Sequence, residues 1–335
     1  MNRKLKDIPV SILDLAPIVE GGTAGESIRN SVQLAQAAEN AGFTRHWFAE
    51  HHNFPNIASS ATAVVIGYVA NNTSKIRVGA GGIMLPNHAP LIVAEQFGTL
   101  DALFPGRIDL GLGRAPGTDQ LTSHALRRNL KGSVDDFPND VVELLEYFHP
   151  TTPDPKVRAI PGEGADVPVW LLGSSTFGAQ LAAYLGLPYS FASHFAPTLL
   201  MEALQIYRDN FRPSAFNARP YAMAAVNVIA ADTDEEAEFL ASSFYRMALG
   251  IIRNDRKALQ PPVKDMDNYW NENEKAAFRH MMKYSFIGSP ETVRSELEAF
   301  MEKTQVDEIM VASYIYELEK KIKSYELIAP FFKKF

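Results

Sequence analysis

The feature that most constrains the fold is an alternation of short apolar runs with amphipathic helical patterns along the first third of the chain. Residues 10–15 form an apolar run typical of a strand buried on both faces. Residues 27–40 then carry apolar side chains at helical spacing and end before Gly42. Further strand patterns, separated by helical ones at 59–72 and 90–104, lie at 46–49, 75–81 and 108–113. This order predicts parallel βαβ units, because parallel strands need a crossover connection between them.

The alternation continues along the rest of the chain with two irregular interruptions. Strand patterns lie near 167–172, 189–192, 221–230 and 308–312, and helical patterns lie at 138–148, 177–185, 197–210, 234–252 and 292–302. We predict that Ser59 and Ser60 cap the second helix. Eight strands and their helices indicate an α/β fold, a single (β/α)8 TIM barrel over residues 1–335, with insertions at about 115–165 and 254–285. A doubly wound open sheet is the alternative, but the turn after its first strand lacks the glycine pattern G-x-G-x-x-G.

Composition limits the chemistry and the partners. The 335 residues include no cysteine, which excludes disulfides, thiolate metal sites and cysteine nucleophiles, so redox chemistry needs a bound cofactor. The net charge of −7 argues against nucleic acid and anionic membranes as partners. The sequence has no secretory signal pattern and no run of about 20 apolar residues, and we therefore predict a cytoplasmic protein.

The most informative candidate site is Glu50-His51-His52, at the exit of the second predicted strand. Active sites of parallel barrels lie at the carboxyl ends of the strands, and histidine transfers protons near neutral pH. A second interpretation is that one histidine only hydrogen-bonds a neighbouring loop. A metal site is disfavoured because adjacent strand residues point to opposite sides, and His46 and His88 complete one only if the fold brings them there.

Glycines end the third predicted strand at Gly81-Gly82. Bare backbone at this place suits close approach by a flat aromatic ligand, and it equally suits close packing inside the barrel. The sequence leaves these two interpretations open.

Two segments have the chemistry of a phosphate site. Arg114 follows the fourth strand, where a guanidinium binds phosphate oxygens in a bidentate manner, although a surface salt bridge is its alternative role. Ser174, Ser175 and Thr176 precede a helix, whose amino end attracts anions, although simple helix capping uses the same residue types. His194 ends the sixth strand and, as a lone histidine, is typical of a structural group.

Several of these residues belong to longer segments that match a known family. The segments are Trp47-Phe48-Ala49-Glu50-His51-His52, residues 78–86, Pro105-Gly106-Arg107 and Gly111-Leu112-Gly113-Arg114. In this order and spacing they resemble the bacterial luciferase-like monooxygenase family, and weaker similarity at 171–175, 186–188 and 287–290 extends the resemblance over nearly the whole chain. Residues 11–17 and 191–195 resemble one uncharacterised oxidoreductase branch of that family.

The resemblance implies a barrel that binds reduced FMN and uses O2 to oxygenate a small organic substrate such as an aldehyde. It implies that His51 is the catalytic histidine with Glu50 and His52 beside it, and that Gly81-Gly82 lies against the flavin ring. The phosphate then belongs at Arg114, Ser174 and Ser175, and we assign Thr176 and His194 to the same cofactor site. We also expect a separate flavin reductase, because the sequence has no nicotinamide motif, and a homodimer.

One departure and three alternatives remain. Gly113 stands where luciferases have a flavin-facing cysteine, so the resemblance does not extend to light emission or to the luciferase substrate. The alternatives are a deazaflavin (F420)-dependent dehydrogenase on the same barrel, a metal-dependent barrel hydrolase using Glu50 and His51, and a flavin-binding protein without catalysis. The substrate pocket is expected to take its walls from the insertions at 118–158 and 254–273, where the sequence identifies no contacts.

Overall fold

The computed structural model describes residues 3–115, 117–126 and 134–333. Over these residues the strands are β1 (Val10–Asp14), β2 (Arg45–Phe48), β3 (Arg77–Met84), β4 (Ile108–Gly113), β5 (Val169–Gly173), β6 (Tyr189–Phe191), β7 (Ala222–Ala230), β8 (Ser285–Gly288) and β9 (Glu308–Ala312). The helices are α1 (Ala24–Ala41), α2 (Thr62–Asn71), α3 (Pro90–Leu103), α4 (Gln120–Leu126), α5 (Phe137–Phe148), α6 (Thr176–Leu185), α7 (Leu200–Asn210), α8 (Asp234–Ile252), α9 (Glu272–Met281), α10 (Pro290–Thr304) and α11 (Leu318–Ile328).

The sheet closes into a parallel barrel. Strands β1 to β7 pair in sequence order, and β9 pairs with both β7 and β1, so that Ile309 lies beside Ala224 on one side and Val10 on the other. Strand β8 pairs with the far end of β7 and lies outside the eight-stranded ring. The predicted α/β barrel of eight strands is confirmed.

The barrel interior is closed at the amino ends of the strands. Large buried side chains fill it, among them Trp47 and Trp170, whose rings meet edge to face. Beneath them, Arg45 forms buried ion pairs with Asp109 at 2.8 Å and with Glu308 at 3.1 Å. Because a buried charge without a partner is strongly destabilising, the pairing of these groups allows them to form the lower layer of the core. The cavity lies at the opposite end of the barrel, at the carboxyl ends of the strands.

Two local predictions were wrong. Helix α2 begins at Thr62, and its amino-terminal cap position, Ala61, makes no side-chain cap. Ser59 donates its hydroxyl to the Ala49 carbonyl at 2.6 Å, and Ser60 donates to the His51 carbonyl at 2.7 Å. These serines therefore stabilise the β2–α2 loop, whose carbonyl groups compete with the helix for the hydroxyls. Strand β3 also continues past the predicted end at residue 81, through a cis Gly81-Gly82 peptide, to residue 84.

The predicted insertions contain regular structure that the periodicity missed. The second leads through α9 into β8, a strand of four residues that had no predicted counterpart. The first contains α5, which matches the helix predicted at 138–148, and α4, which had no predicted counterpart. Pro116 and residues 127–133 of that insertion lie outside the described residues. In the described part of the chain, no helix has both the length and the apolar character needed to cross a membrane.

Candidate active site

A cavity of about 850 Å³ lies at the carboxyl ends of the strands. Its floor is the barrel interior, represented by Leu13, Trp47 and Met310, and its walls come from the loops that follow the strands. The cavity has the size of a small-molecule or cofactor site, and its position is the one at which parallel barrels carry out their chemistry.

His51 follows β2 and reaches the cavity wall. Its Nδ1 lies 3.2 Å from the Gly117 carbonyl oxygen, and its ring stacks on that of Phe54 with centroids 5.3 Å apart. Desolvation lowers the pKa of His51, although the Gly117 hydrogen bond acts in the opposite direction. The imidazole is therefore neutral near pH 7, and with Nδ1–H donating to Gly117 the lone pair is on Nε2.

Glu50 lies behind this wall and does not line the cavity. Its carboxylate accepts hydrogen bonds from His52 Nε2 at 2.7 Å, from His88 Nε2 at 2.9 Å and from the Met84 backbone N–H at 3.0 Å. Burial alone would raise the pKa of Glu50, but the bonds from His52 and His88 outweigh it and lower the pKa to about 2. Glu50 and His52 thus connect the end of β3 to the segment that carries His51, and the side chain of His52 points to Glu50.

His46 and His88 do not complete a metal site with this cluster. His46 Nε2 lies 3.2 Å from an Asp14 carboxylate oxygen, away from Glu50. Within residues 3–115, 117–126 and 134–333, the structure has no group of three or more histidine or carboxylate side chains arranged to hold a metal ion.

Gly81 and Gly82 line the cavity, and neighbouring side chains leave no room for a Cβ atom on either residue. A Cβ atom on Gly81 would lie 3.0 Å from side-chain atoms of Leu13 and Trp47, and one on Gly82 would lie 2.5 Å from Leu172 Cδ1. Both interpretations of these glycines therefore have a basis: packing excludes a side chain, and the result is a flat backbone surface facing the cavity.

Methionine occupies the space beside Gly113. A Cβ atom at Gly113 would lie 2.9 Å from the Met84 sulfur, and both residues line the cavity. The place where luciferases have a cysteine side chain is therefore filled here by a thioether from the end of β3.

At another part of the cavity, Arg114 lies beside the start of α6. Its guanidinium is 4.1 Å from the ring centroid of Phe177, and no residue in the described ranges forms an ion pair with it. Ser174 and Ser175 also line the cavity, and Ser175 is the amino-terminal cap residue of α6 but makes no side-chain capping bond. Neither alternative role, a surface salt bridge for Arg114 or a helix-capping bond from Ser175, is therefore found among the described residues. What remains is a guanidinium, two hydroxyls and a helix amino end, a set of donors that suits a phosphate.

Two other residues predicted for the cofactor site, His194 and Thr176, do not add to these phosphate donors. His194 lines the cavity, but burial lowers its pKa to about 3, so it carries no charge with which to hold a phosphate. Asn227 donates to its backbone carbonyl at 2.6 Å. Thr176 is the first residue of α6, and its side chain does not line the cavity.

Sequence reasoning did not identify Phe54 or Arg256, which both line the cavity near His51. The Arg256 guanidinium lies 3.8 Å from the centroid of the Phe54 ring. Residue 256 belongs to the insertion that was expected to form a pocket wall, and the only signal in the sequence was a basic cluster, Arg253 to Lys257, within it.

Comparisons with known proteins show the family to which the chain belongs. A family model described as luciferase-like monooxygenase matches residues 8–308. The chain is 54% identical over 333 residues to the uncharacterised protein YvbT of Bacillus subtilis (strain 168), covering 99% of each. It is 51% identical over 322 residues to a protein named luciferase-like monooxygenase from Escherichia coli (strain K12), covering 96% of each. The crystal structure of apo-MsnO8 superimposes with a TM-score of 0.86 at 33% identity, covering 96% of this chain and 98% of that one.

Proposed function

Since the chain belongs to the luciferase-like monooxygenase family and is an oxidoreductase, we propose that it uses reduced FMN and O2 to oxygenate a small organic substrate. The observation that carries the choice of cofactor is the position of Arg114 beside the amino end of α6. Among the described residues, Arg114 has no ion-pair partner and the cap residue Ser175 makes no side-chain bond to the helix. Both groups line the same cavity as His51.

The donor set fits the two parts of FMN. Arg114, Ser174 and Ser175 would bind the phosphate through charge-assisted and backbone hydrogen bonds. The flat surface of Gly81 and Gly82 would accept the ring system, since no side chain projects there. His194 would contact the cofactor only as a neutral group, because its pKa is far below 7.

The chemistry that reduced FMN supplies when bound is the activation of O2 for insertion of one oxygen atom into the substrate. His51 would accept and return a proton at Nε2, which the Gly117 hydrogen bond leaves as the basic nitrogen. Glu50, with His52 and His88, would hold the His51 segment against the end of β3. The buried barrel floor would exclude water from the reacting atoms.

Binding of FMN and of riboflavin tests the cofactor site, since the two differ by the phosphate. We expect the wild type to bind reduced FMN at least tenfold more tightly than riboflavin, and Arg114→Gln to abolish that preference. Arg253→Gln is the matched control, because Arg253 lines the cavity but is paired with Glu274 at 2.7 Å. No binding of oxidised or reduced FMN would contradict the proposal, and tighter binding of F420 would favour the dehydrogenase instead.

The role of His51 is tested by O2 consumption with reduced FMN. His51→Ala is expected to lower the yield of oxygenated product at least tenfold while FMN binding is retained, because the base is lost and the phosphate contacts are not. Unchanged product formation would remove the role assigned to His51.

Two partners complete the proposal. A separate flavin reductase would supply reduced FMN. A second copy of the chain would form a homodimer through α2 and α3, which pack together and expose Val64, Tyr68 and Ile92.

A further inference from the structure

Basic side chains are concentrated around the cavity although the chain as a whole is acidic. The net charge is −7, but the cavity lining in the described part of the chain contains more basic than acidic groups. The basic ones are Arg114, Arg246, Arg253, Arg256 and Lys257, and the acidic ones are Asp135 and Asp255. A cavity with this balance attracts anions.

Most of these cations already have partners. Arg253 pairs with Glu274 at 2.7 Å, and Lys257 pairs with Asp255 at 2.7 Å. Arg246 donates to the Pro261 carbonyl and to Gln260. Arg114 is beside α6, in the region proposed for the phosphate. Arg256 remains, and among residues 3–115, 117–126 and 134–333 no carboxylate forms an ion pair with it.

The segment that carries Arg256 is fixed at both ends. At its start, the Asp255 N–H donates to the Gly250 carbonyl at 2.8 Å. At its end, buried Leu259 exchanges backbone hydrogen bonds of 2.8 Å with Ile18 and Glu20 in the β1–α1 loop. Arg256 is therefore presented from an anchored loop, and ordering it for a ligand costs less conformational entropy than ordering a free surface side chain would.

Arg256 also lies close to the proposed proton-transfer group. Its guanidinium carbon lies 3.8 Å from the centroid of the Phe54 ring, and the centroid of the His51 ring lies 5.3 Å from the same point. Its charge is among the causes that lower the pKa of His51, which agrees with this proximity. An anion held by Arg256 would therefore have the rest of its molecule beside His51, in the cavity that Gly81 and Gly82 also line.

We propose that Arg256 binds a carboxylate of the substrate, so that the enzyme oxygenates a small organic acid with an apolar body. This inference rests on the proposed function and names its substrate class. A single guanidinium without a helix amino end suits a monoanion, whereas the phosphate dianion has the larger donor set at Arg114 and Ser175. Phe54, whose ring Arg256 contacts, and Leu259, on the same segment as Arg256, are apolar residues of the cavity lining, which suits the body of the acid.

Hexanoate and hexanamide are the probes, because they share an apolar chain and differ in charge. We expect calorimetry on the FMN-free protein to show saturable hexanoate binding and at least tenfold weaker hexanamide binding. Arg256→Gln should weaken hexanoate binding at least tenfold, which corresponds to about 1.4 kcal/mol, and leave hexanamide unchanged. Lys257→Gln removes the same charge from a paired neighbour and should change hexanoate binding less than twofold.

Three outcomes of the hexanoate titrations would overturn the assignment: no saturable hexanoate binding to the wild type, equal binding to wild type and Arg256→Gln, or loss of hexanoate binding in Arg114→Gln alone. Reduced FMN binding is measured on the same variants. If Arg256→Gln weakens FMN binding as strongly as Arg114→Gln does, Arg256 belongs to the cofactor site and the inference is wrong. If FMN does not bind to any variant, the proposed function fails while the hexanoate result still decides whether Arg256 is a carboxylate site.

Discussion

The imidazole of His51 has a low pKa mainly because of desolvation, and the positive charge of Arg256 lowers it further. A lowered histidine pKa means that the neutral form persists below pH 6.5, so the base remains available in mild acid. We predict that His51 titrates below pH 6.5 in the wild type. In Arg256→Gln its pKa should move upward, towards 6.5, because one of the charges opposing protonation is gone.

Histidine side-chain NMR measures this directly, with the His51 signal identified by its absence in His51→Gln. Lys257→Gln should leave the His51 pKa unchanged, because the charge of Lys257 is paired with that of Asp255. A His51 pKa at or above 6.5 in the wild type would contradict the burial argument, and an unchanged value in Arg256→Gln would contradict the proximity of the two groups.

At the scale of single residues, the sequence predicted which types of group meet at the site but not which way they point. Glu50, His51 and His52 are adjacent, and the alternation of side chains along extended backbone separates neighbours without deciding which of them faces the cavity. The structure turns His51 inward and directs His52 to Glu50. Their catalytic roles, and the cofactor contacts of Arg114 and Ser175, stay predictions.

The amino ends of helices α6 and α8 differ in a way that can be tested. Ser175 caps α6 by position without a side-chain bond, whereas Thr233 accepts the Glu236 N–H at the start of α8. We predict that Ser175→Ala changes the free energy of unfolding by less than about 0.5 kcal/mol and weakens FMN binding about fivefold. Thr233→Ala should lower the free energy of unfolding by about 1 kcal/mol and leave FMN binding unchanged.

Denaturant unfolding and FMN titration of the two variants give the four values. We expect Ser175→Ala to lose FMN affinity but not stability, and Thr233→Ala to lose stability but not FMN affinity. If Ser175→Ala is the less stable variant and binds FMN normally, its hydroxyl is a capping group, and the phosphate assignment at α6 is wrong.

At the scale of elements, segments inside the regular alternation were predictable, and those inside the irregular stretches were often not. Helix α8 lies at Asp234–Ile252, the range that the pattern predicted, because nineteen residues of regular spacing average out local exceptions. Strand β8 is as short as β2, but it follows an irregular stretch in which no alternation of strands and helices indicated where a strand would lie. Ser59 and Ser60 resemble helix caps, and their real partners, the carbonyls of Ala49 and His51, depend on the path of the loop.

At the scale of the whole molecule, the barrel follows from the order of its elements, whereas contacts across the cavity do not. The alternation of strands and helices determines which strands are neighbours, since each crossover places the next strand beside the last. The contact of Arg256 with Phe54 joins residues some two hundred positions apart, on two loops outside that repeating order. The charge and composition of an insertion therefore indicate which kind of ligand it can bind. Only the folded structure shows which residues of other loops lie beside it.

The last prediction concerns the outer surface of α2 and α3 and the oligomeric state of the protein. Val64 is 72% exposed and Ile92 is 46% exposed, so two helices that pack together both carry large apolar side chains on their outer surface. We predict a homodimer that buries this surface. The double variant Val64→Glu/Ile92→Glu should be monomeric, because an apolar interface would have to bury two unpaired carboxylates, with the dissociation constant raised at least about a hundredfold.

Light scattering coupled to size exclusion measures the mass of each species over a range of concentrations. Leu121→Glu is the matched control: Leu121 is 85% exposed on α4, away from α2 and α3 in the sequence, so an added charge there should leave the dimer intact. The melting temperature of the double variant, measured beside that of the wild type at the lowest concentration, distinguishes dissociation from unfolding, since both residues are exposed in the monomer. A monomeric wild type, or a dimer that survives both substitutions, would show that this surface has another role.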